Sequence, residues 1–139
     1  MNDYFVYLSQ MKNCVSNANK VIDKAKSYEQ YSNTLKNISE EINAISNELY
    51  VSNSMFLTGG YNSGGKWLYQ DQIMLCGGQA TSIASSLDSL STQTKEKIKD
   101  FKKEYDKIKV SYESAKNSFY ACPGHIGFVP DFPNFPVTI

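Results

Sequence analysis

The sequence predicts an all-α protein, a long antiparallel two-helix hairpin of coiled-coil type with a Pro-rich extended C-terminal tail. Three observations lead to this prediction. All four prolines of the 139-residue chain lie at or after Pro123, so the preceding residues are free to be helical. Four glycines interrupt the chain near its middle. On both sides of them, apolar residues recur in steps of three and four, as in coiled-coil helices.

The first helix is indicated by two series of apolar residues at heptad spacing. An early series runs from Tyr4 to Ala25. The clearest seam follows it and consists of Tyr31, Leu35, Ile38, Ile42, Ile45 and Leu49. Between the two series the steps shorten to three residues twice, and Ser27 with Gln30 has the spacing of a capping box. Residues 26–34 therefore leave open a continuous helix, a bend or a break.

A turn is expected at about residues 58–66, because Gly59, Gly60, Gly64 and Gly65 cluster there. A second apolar seam follows, formed by Cys76, Ala80, Ile83, Leu87 and Leu90, and its spacing resumes from Ile98 to Phe119. This helix is expected to end near residue 120. We also expect a kink or break at Gly77 and Gly78, because two glycines cost a helix about 2 kcal/mol relative to alanine.

The two seams predict how the helices pair. Placing Leu35 opposite Leu90 and Leu49 opposite Cys76 puts the middle of an antiparallel hairpin inside the glycine-rich turn. We therefore expect the seams to face each other within a hairpin of residues 1–120. Small residues dominate residues 77–94, which is typical either of a surface on which a third helix packs closely or of a polar, solvated face. The tail, residues 121–139, is expected to dock on the hairpin or a partner, with disorder as the alternative.

Composition and charge argue against several functional classes. Fourteen lysines balance fourteen acidic residues, and the chain contains no arginine, so nucleic acid is not an expected partner. No stretch has the length and apolarity of a membrane span, and the first residues do not have the pattern of a cleavable signal peptide. Three widely spaced cysteines indicate free thiols rather than a disulfide framework.

The sequence also favours a protein without a catalytic site. His125 is the single histidine, and it lies in a proline- and glycine-containing segment that offers little rigid support for catalysis. Cys122 and His125 have the spacing of half a zinc site, which would need ligands from a second chain. The glycine-rich residues 59–66 lack the spacing of a phosphate-binding loop. We therefore expect no enzymatic activity, no cofactor and no metal site.

Trp67 follows the glycine-rich turn directly, and Asp71 lies four residues later, on the same face of a helix. With these features the chain resembles the Trp-X-Gly helical-hairpin proteins of type VII secretion, and more particularly the small helical targeting factors that accompany LXG toxins in Gram-positive bacteria. It departs from the Trp-X-Gly element, because Leu68 and Tyr69 follow the tryptophan. Related targeting factors carry phenylalanine four residues before aspartate, where this chain has Trp67. The pair also fits an anchoring tryptophan beside a solvated aspartate.

The resemblance implies a non-enzymatic partner or chaperone-like targeting factor. It would pack on the N-terminal helical region of an LXG toxin, with a second small helical protein as a further partner, and contribute to export. The chain would then be cytoplasmic before export. Two alternatives stay open: the chain leaves the cell with its partner, without a cleavable signal peptide, or it is not itself exported. The expected partner-binding residues are Phe56, Trp67, Leu68, Asp71, Phe128 and Phe132. The alternative is a self-assembling structural coiled-coil protein, in which a second copy covers the same surface.

Overall fold

The computed structural model describes the backbone of residues 3–58 and 64–138, and the side chains of residues 3–51 and 71–138. It contains two helices, α1 (Tyr4–Thr58) and α2 (Gly64–Ala121). Residues 122–138 follow without helix or strand, and no strand occurs elsewhere in the described ranges. The helices pack against each other, so the prediction of an all-α helical hairpin is confirmed.

Both helices are continuous. The helix α1 runs through residues 26–34, which agrees with one of the alternatives left open there, and α2 runs through Gly77 and Gly78, so a break at the glycines is wrong and a kink stays a prediction. Tertiary packing explains why Gly77 is tolerated, because a Cβ atom there would lie 3.2 Å from Cζ of Tyr50. Gly64, Gly65 and Lys66 also belong to α2, which makes the predicted turn too long at that end. The rest of that turn, residues 59–63, lies outside the described residues.

The helix α2 ends within about one residue of its predicted end. The amide of Cys122 donates a hydrogen bond to the carbonyl of Phe119 at 3.2 Å, which closes the last turn. Pro123 follows and cannot continue the helix, and Gly124 adopts a positive φ of 70°. The chain therefore leaves the helix axis immediately after Ala121.

The chain divides into two compact units, each made of one segment from each helix. Unit 1 consists of Met1–Gln30 and Thr94–Ile139, and unit 2 consists of Tyr31–Gln93. In both units the residues buried between the helices recur every seven positions. This period identifies the contact face of each helix.

Most core side chains of unit 1 are large. Its heptad positions carry Tyr4, Met11, Ala18 and Ala25 on α1 and Ile98, Tyr105, Tyr112 and Phe119 on α2, all of them buried. The rings of Tyr4 and Phe119 meet edge to face, with centroids 6.3 Å apart. Burying side chains of this size contributes about 1.5–3 kcal/mol each. Unit 1 therefore holds its helices together through apolar burial.

The residues after α2 complete the core of unit 1. The rings of Phe132 and Phe135 both lie 5.3 Å from the ring of Tyr105, and Val137 is buried against Ala25 and Ile98. The hydroxyl of Tyr105 donates a hydrogen bond to the carbonyl of Pro133 at 2.6 Å, and the hydroxyl of Tyr112 donates to that of Pro130. Proline has no amide hydrogen to donate, but its carbonyl accepts these bonds. Desolvation by burial raises the pKa of Tyr105 and Tyr112.

Unit 2 has a contact row of small side chains instead. The buried residues are Ser32, Ser39 and Ser46 on α1 and Gly77, Ala84 and Ser91 on α2. Side chains this small let the two helix backbones approach closely. The small residues of the segment 77–94 therefore contact α1 of the same chain, and the third helix predicted there stays a prediction.

Serine hydroxyls bond directly to the backbone of the facing helix in unit 2. Oγ of Ser39 donates to the carbonyl of Ala84 at 2.7 Å, and Oγ of Ser46 donates to that of Gly77 at 3.0 Å. Ser32 and Ser91 each donate to the carbonyl of the other, at 2.9 and 2.7 Å. A buried hydroxyl without a partner would be costly, and each of these bonds contributes about 0.5–1.5 kcal/mol net. The serine row thus fixes the register of unit 2.

The prediction that the two apolar seams face each other in unit 2 is wrong. Ser32 lies opposite Ser91 and Ser46 opposite Gly77, where the sequence pattern placed Leu35 opposite Leu90 and Leu49 opposite Cys76. The contact row passes one position C-terminal to Ile38 and Ile83. The seam residues form stripes beside the interface rather than the interface itself.

Candidate partner-binding surface

The apolar residues that do not enter the interface of unit 2 lie together on one side of it. Ile38 and Ile45 each precede a buried serine by one position, and Ile83 precedes Ala84 in the same way. A helix turns by about 100° per residue. In an antiparallel pair, the residue before each contact residue therefore turns to the same side of the interface on both helices. The two apolar seams thus form one continuous surface.

We call this surface the apolar face. It is formed by Tyr31, Leu35, Ile38, Ile42, Ile45 and Leu49 on α1 and by Cys76, Ala80, Ile83, Leu87 and Leu90 on α2. Residues next to the interface are half-buried, including Leu35, Ile42 and Leu87. Those one step further out are open to solvent, with exposed fractions of 39% for Ile38, 51% for Ile45 and 52% for Ile83. Such a contiguous exposed apolar patch marks an interaction site more often than an ordinary surface.

The other side of the interface in unit 2 is polar. Nζ of Lys36 lies 3.7 Å from Oδ1 of Asp88, and both side chains are well exposed. Asn33, Asn43 and Asn47 of α1 and Ser85 and Thr92 of α2 are exposed as well. A helix pair that is polar on one side and apolar on the other has the pattern of one layer of a larger helical bundle.

An acidic edge borders the apolar face on α1. Glu41 and Glu48 lie seven residues apart, both exposed, just beyond the isoleucine stripe. Neither forms an ion pair with another residue in the described part of the chain. The corresponding positions on α2 carry the neutral residues Gln79, Ser86 and Gln93. By sequence, unit 2 contains two lysines and five acidic residues, whereas unit 1 contains twelve lysines and nine acidic residues.

Three of the six residues predicted to bind a partner, Phe56, Trp67 and Leu68, have side chains outside the described residues. Phe56 belongs to α1, and Trp67 and Leu68 belong to α2. Asp71 is exposed on α2, four residues after Trp67. The prediction of a recognition patch formed by Trp67 and Asp71 therefore stays a prediction.

The two predicted tail residues have different surroundings in unit 1. Phe128 is 96% exposed. Phe132 is half-buried, with its ring 4.9 Å from the ring of Tyr112 and 5.3 Å from that of Tyr105. Phe132 thus contributes to the core of its own unit, whereas Phe128 remains on the surface. The described members of the predicted set are spread over both units.

The residues with potential chemistry include His125 and three cysteines. Nδ1 of His125 lies 3.0 Å from the carbonyl oxygen of Cys122, and its ring contacts those of Phe119 and Tyr120. Cys14, Cys76 and Cys122 are free thiols. Burial raises the pKa of Cys14, which lowers its thiolate fraction and its nucleophilicity. Among the described residues, no cluster of three His, Cys, Asp or Glu side chains has the arrangement to hold a metal ion.

Sequence reasoning found the residues of the apolar face but assigned them to the wrong contact. The missed signal is the row of small residues, which recurs every seven positions on both helices. A search for apolar residues at heptad spacing does not detect this row, because serine and glycine are polar or neutral. Neither helix, over its described residues, contains a stretch long and apolar enough to cross a membrane. Comparisons with protein-family models, curated proteins and solved structures found no match to this chain.

Proposed function

We propose that this chain is a non-enzymatic helical partner protein that packs its apolar face on helices of another protein. In the more specific form of this proposal, the other protein is an LXG toxin of a type VII secretion system. The chain would extend the N-terminal helical region of the toxin and contribute to its export. The observation that carries the proposal is the apolar face of unit 2, where Ile38, Ile45 and Ile83 remain exposed beside an interface made of small residues.

The energetics of unit 2 support a role that requires a partner. Its serine row supplies hydrogen bonds but buries little apolar surface, while its largest aliphatic residues remain partly in water. Covering a side chain such as Ile45 or Ile83 contributes up to about 1.5–3 kcal/mol. A partner that covers several of them adds most of the apolar burial that unit 2 lacks. Association would therefore stabilise the unit as well as the complex.

The toxin assignment is supported by the sequence resemblance and by the position of Asp71. Asp71 is exposed on α2, four residues after Trp67, and the resemblance implies a composite recognition signal at this spacing. In this proposal the chain associates with its partner in the cytoplasm and accompanies it to the secretion machine, with or without a second small helical protein. No cofactor takes part in such a role.

The test is affinity purification of the tagged chain from its native host, followed by identification of captured proteins. We expect a large protein with a helical N-terminal region. The double variant Ile38→Glu, Ile83→Glu should lose it, because carboxylates on the apolar face cannot be buried cheaply. A control variant, Asn43→Glu, Ser85→Glu, adds the same charge on the polar side and should retain it. Trp67→Ala, Asp71→Ala should reduce export of the captured protein.

Recovery of the chain alone would contradict the proposal and favour the second candidate, a self-assembling coiled-coil protein. The same apolar face supports that candidate, because a second copy of unit 2 offers an equally apolar surface. Sedimentation equilibrium of the purified chain separates the two. If the chain forms a defined oligomer that the double variant Ile38→Glu, Ile83→Glu dissociates, self-assembly is indicated. A monomeric chain whose apolar face is buried only with the host protein indicates a heterologous partner.

A further inference from the structure

We infer that the apolar face of unit 2 docks an amphipathic helical segment whose apolar stripe is bordered by lysine or arginine side chains. This inference rests on the proposed function, and it specifies the chemistry of the partner surface. It depends on the geometry of the apolar face and on the distribution of charge around it.

The geometry suits a helix laid along the hairpin axis. The small contact row lets α1 and α2 approach closely, so their apolar stripes lie side by side on one surface. On α1 the stripe runs through Ile38 and Ile45, one heptad apart, and on α2 Ile83 lies across from them. A helix with apolar residues at heptad spacing presents the matching ridge.

The charge around the apolar face distinguishes among helical partners. Glu41 and Glu48 repeat at the same heptad spacing as the isoleucines and border the outer edge of the stripe. Unit 2 has two lysines, and Lys36 lies on the polar side beside Asp88. The outer edge therefore presents negative charge that the described residues of the unit do not neutralise. Basic residues at the flanks of the docking helix complement it.

The same charge argues against a second copy of unit 2 as the occupant. A copy placed on the apolar face offers Glu41 and Glu48 either the same two glutamates or the neutral edge of its α2, and neither complements their charge. Like-charge juxtaposition is the element that suppresses wrong partners at interfaces. The apolar tail residues of the same chain are already packed in unit 1, where Phe132, Phe135 and Val137 are in contact with its core.

The inference is tested with two synthetic amphipathic helical peptides that share one leucine-based heptad stripe and differ only at the flanking positions. One peptide carries lysine there, and the other carries glutamate. Binding of each labelled peptide to the full-length chain is followed by fluorescence anisotropy at low and high salt. We expect the lysine-flanked peptide to bind about 3- to 10-fold more tightly at low salt, because exposed ion pairs contribute modestly. High salt should reduce this preference by screening.

Variants of the glutamates and of the apolar face locate the effect. Glu41→Lys, Glu48→Lys reverses the charge beside the apolar face and should invert the preference between the peptides. Glu40→Lys is the matched control for the single change Glu41→Lys. It makes the same charge change one residue away, toward the polar side, and should leave the preference for the lysine-flanked peptide in place. Ile38→Glu, Ile83→Glu should weaken binding of both peptides by about tenfold or more. Circular dichroism establishes that each variant keeps its helices.

Equal binding of the two peptides, or an inversion by Glu40→Lys as well, overturns the inference about charge. If the host protein is still captured through the apolar face in that case, the proposed function stands and this inference alone fails. Absence of peptide binding by a chain that forms an oligomer, which Ile38→Glu, Ile83→Glu dissociates, assigns the face to a second copy and overturns both. Absence of peptide binding by a monomeric chain also overturns the inference.

Discussion

Units 1 and 2 use the same heptad positions of the same two helices for two kinds of interface. In unit 1 six of the eight positions carry large side chains, such as Met11 and Phe119, and the other two are Ala18 and Ala25. In unit 2 they carry Ser39, Ser46 and Ala84, and larger aliphatic residues remain beside the contact row. The comparison teaches that the size of the side chains in this heptad row determines how much apolar surface the two helices bury against each other within a unit.

The two units also differ in what covers their flanks. Unit 1 receives the residues after α2, whose phenylalanine rings pack on Tyr105 and Tyr112 and whose carbonyls accept their hydroxyl hydrogens. Lys102 adds a cationic side chain 4.9 Å from the centre of the Tyr105 ring. No such segment is packed on the apolar face in the described part of unit 2. In unit 1 the tail therefore supplies apolar contacts from the same chain, although Val110, Ile126 and Phe128 remain exposed, whereas the apolar face of unit 2 receives no such contacts from the described residues.

The largest expected effect breaks the core of unit 1. Phe119→Ala should lower the free energy of unfolding by about 3–5 kcal/mol, because it removes a fully buried aromatic ring and leaves a cavity. Tyr120→Ala is the matched control, since the adjacent side chain is 53% exposed, and it should cost less than about 1 kcal/mol. Urea unfolding followed by circular dichroism measures both. Similar losses for the two variants would contradict the heptad assignment of unit 1.

The next effect tests the contact row of unit 2. Ser39→Leu should destabilise the chain by about 1–3 kcal/mol, although it adds apolar volume, because a large side chain separates closely packed helices and removes the bond to Ala84. Ile38→Ser, at the adjacent position on the apolar face, should change the stability of the chain alone by less. Urea unfolding followed by circular dichroism measures the stability of both variants. A larger loss of stability for Ile38→Ser would indicate that the helices meet through the apolar seam rather than through the row of small residues.

The sequence is sufficient to predict the helices but not the face through which they meet. The positions of the prolines and the mid-chain glycines delimit the helices, and heptad spacing indicates their pairing. Hydrophobic spacing alone cannot distinguish a stripe that faces the other arm from one that faces a third helix. In unit 2 the contact face is determined by residues such as Ser39 and Ala84, whose small size lets the two helices approach closely. The break expected at Gly77 ignored the packing of Tyr50 on it.

For the candidate surface, too, the sequence identifies the apolar residues but not which of them are exposed. Composition indicates that the tail cannot be helical, but the site where Phe132 packs depends on hydroxyls of Tyr105 and Tyr112 that sequence spacing does not place beside it. Ile38 and Ile83 were identified as apolar seam residues, and their exposure follows only once the contact row is known. The toxin partner and the roles of Trp67 and Asp71 stay predictions.

A smaller effect concerns the attachment of the tail to unit 1. Tyr112→Phe keeps the ring packed against Phe132 but removes the hydrogen bond to the carbonyl of Pro130. We expect a loss of about 0.5–1.5 kcal/mol at neutral pH. Phe132→Ala, in comparison, should cost more, because it removes the packed ring. If Tyr112→Phe changed neither the stability nor the protection of the tail from proteolysis, this bond would have no part in holding the tail.

The same tyrosines predict an alkaline dependence of stability. Burial raises the pKa of Tyr105 and Tyr112, so the folded state holds their protons more tightly than the unfolded state. Their contribution is fully present below the unfolded tyrosine pKa of about 10 and is lost as pH rises through the raised folded values. Unfolding free energies measured between neutral and alkaline pH should fall in that window. The double variant Tyr105→Phe, Tyr112→Phe should flatten the decline.

The smallest effect sharpens the role of close packing in unit 2 by comparing two adjacent glycines. Gly78→Ala should stabilise the chain by up to about 1 kcal/mol, because alanine favours the helix and its Cβ atom would lie 4.0 Å from the nearest side-chain atom, Oη of Tyr50. Gly77→Ala gains the same helix propensity, but its Cβ atom would lie 3.2 Å from Cζ of Tyr50. The ring must then move off the backbone of α2 and lose its packing, so we expect this variant to be less stable than Gly78→Ala by about 1 kcal/mol. Thermal unfolding of both variants, alone and combined with Tyr50→Ala, tests the cause. Removal of the ring should abolish the difference in stability between Gly77→Ala and Gly78→Ala. A difference that persists would show that the helix–helix contact at Ser46, rather than the ring of Tyr50, limits the space at residue 77.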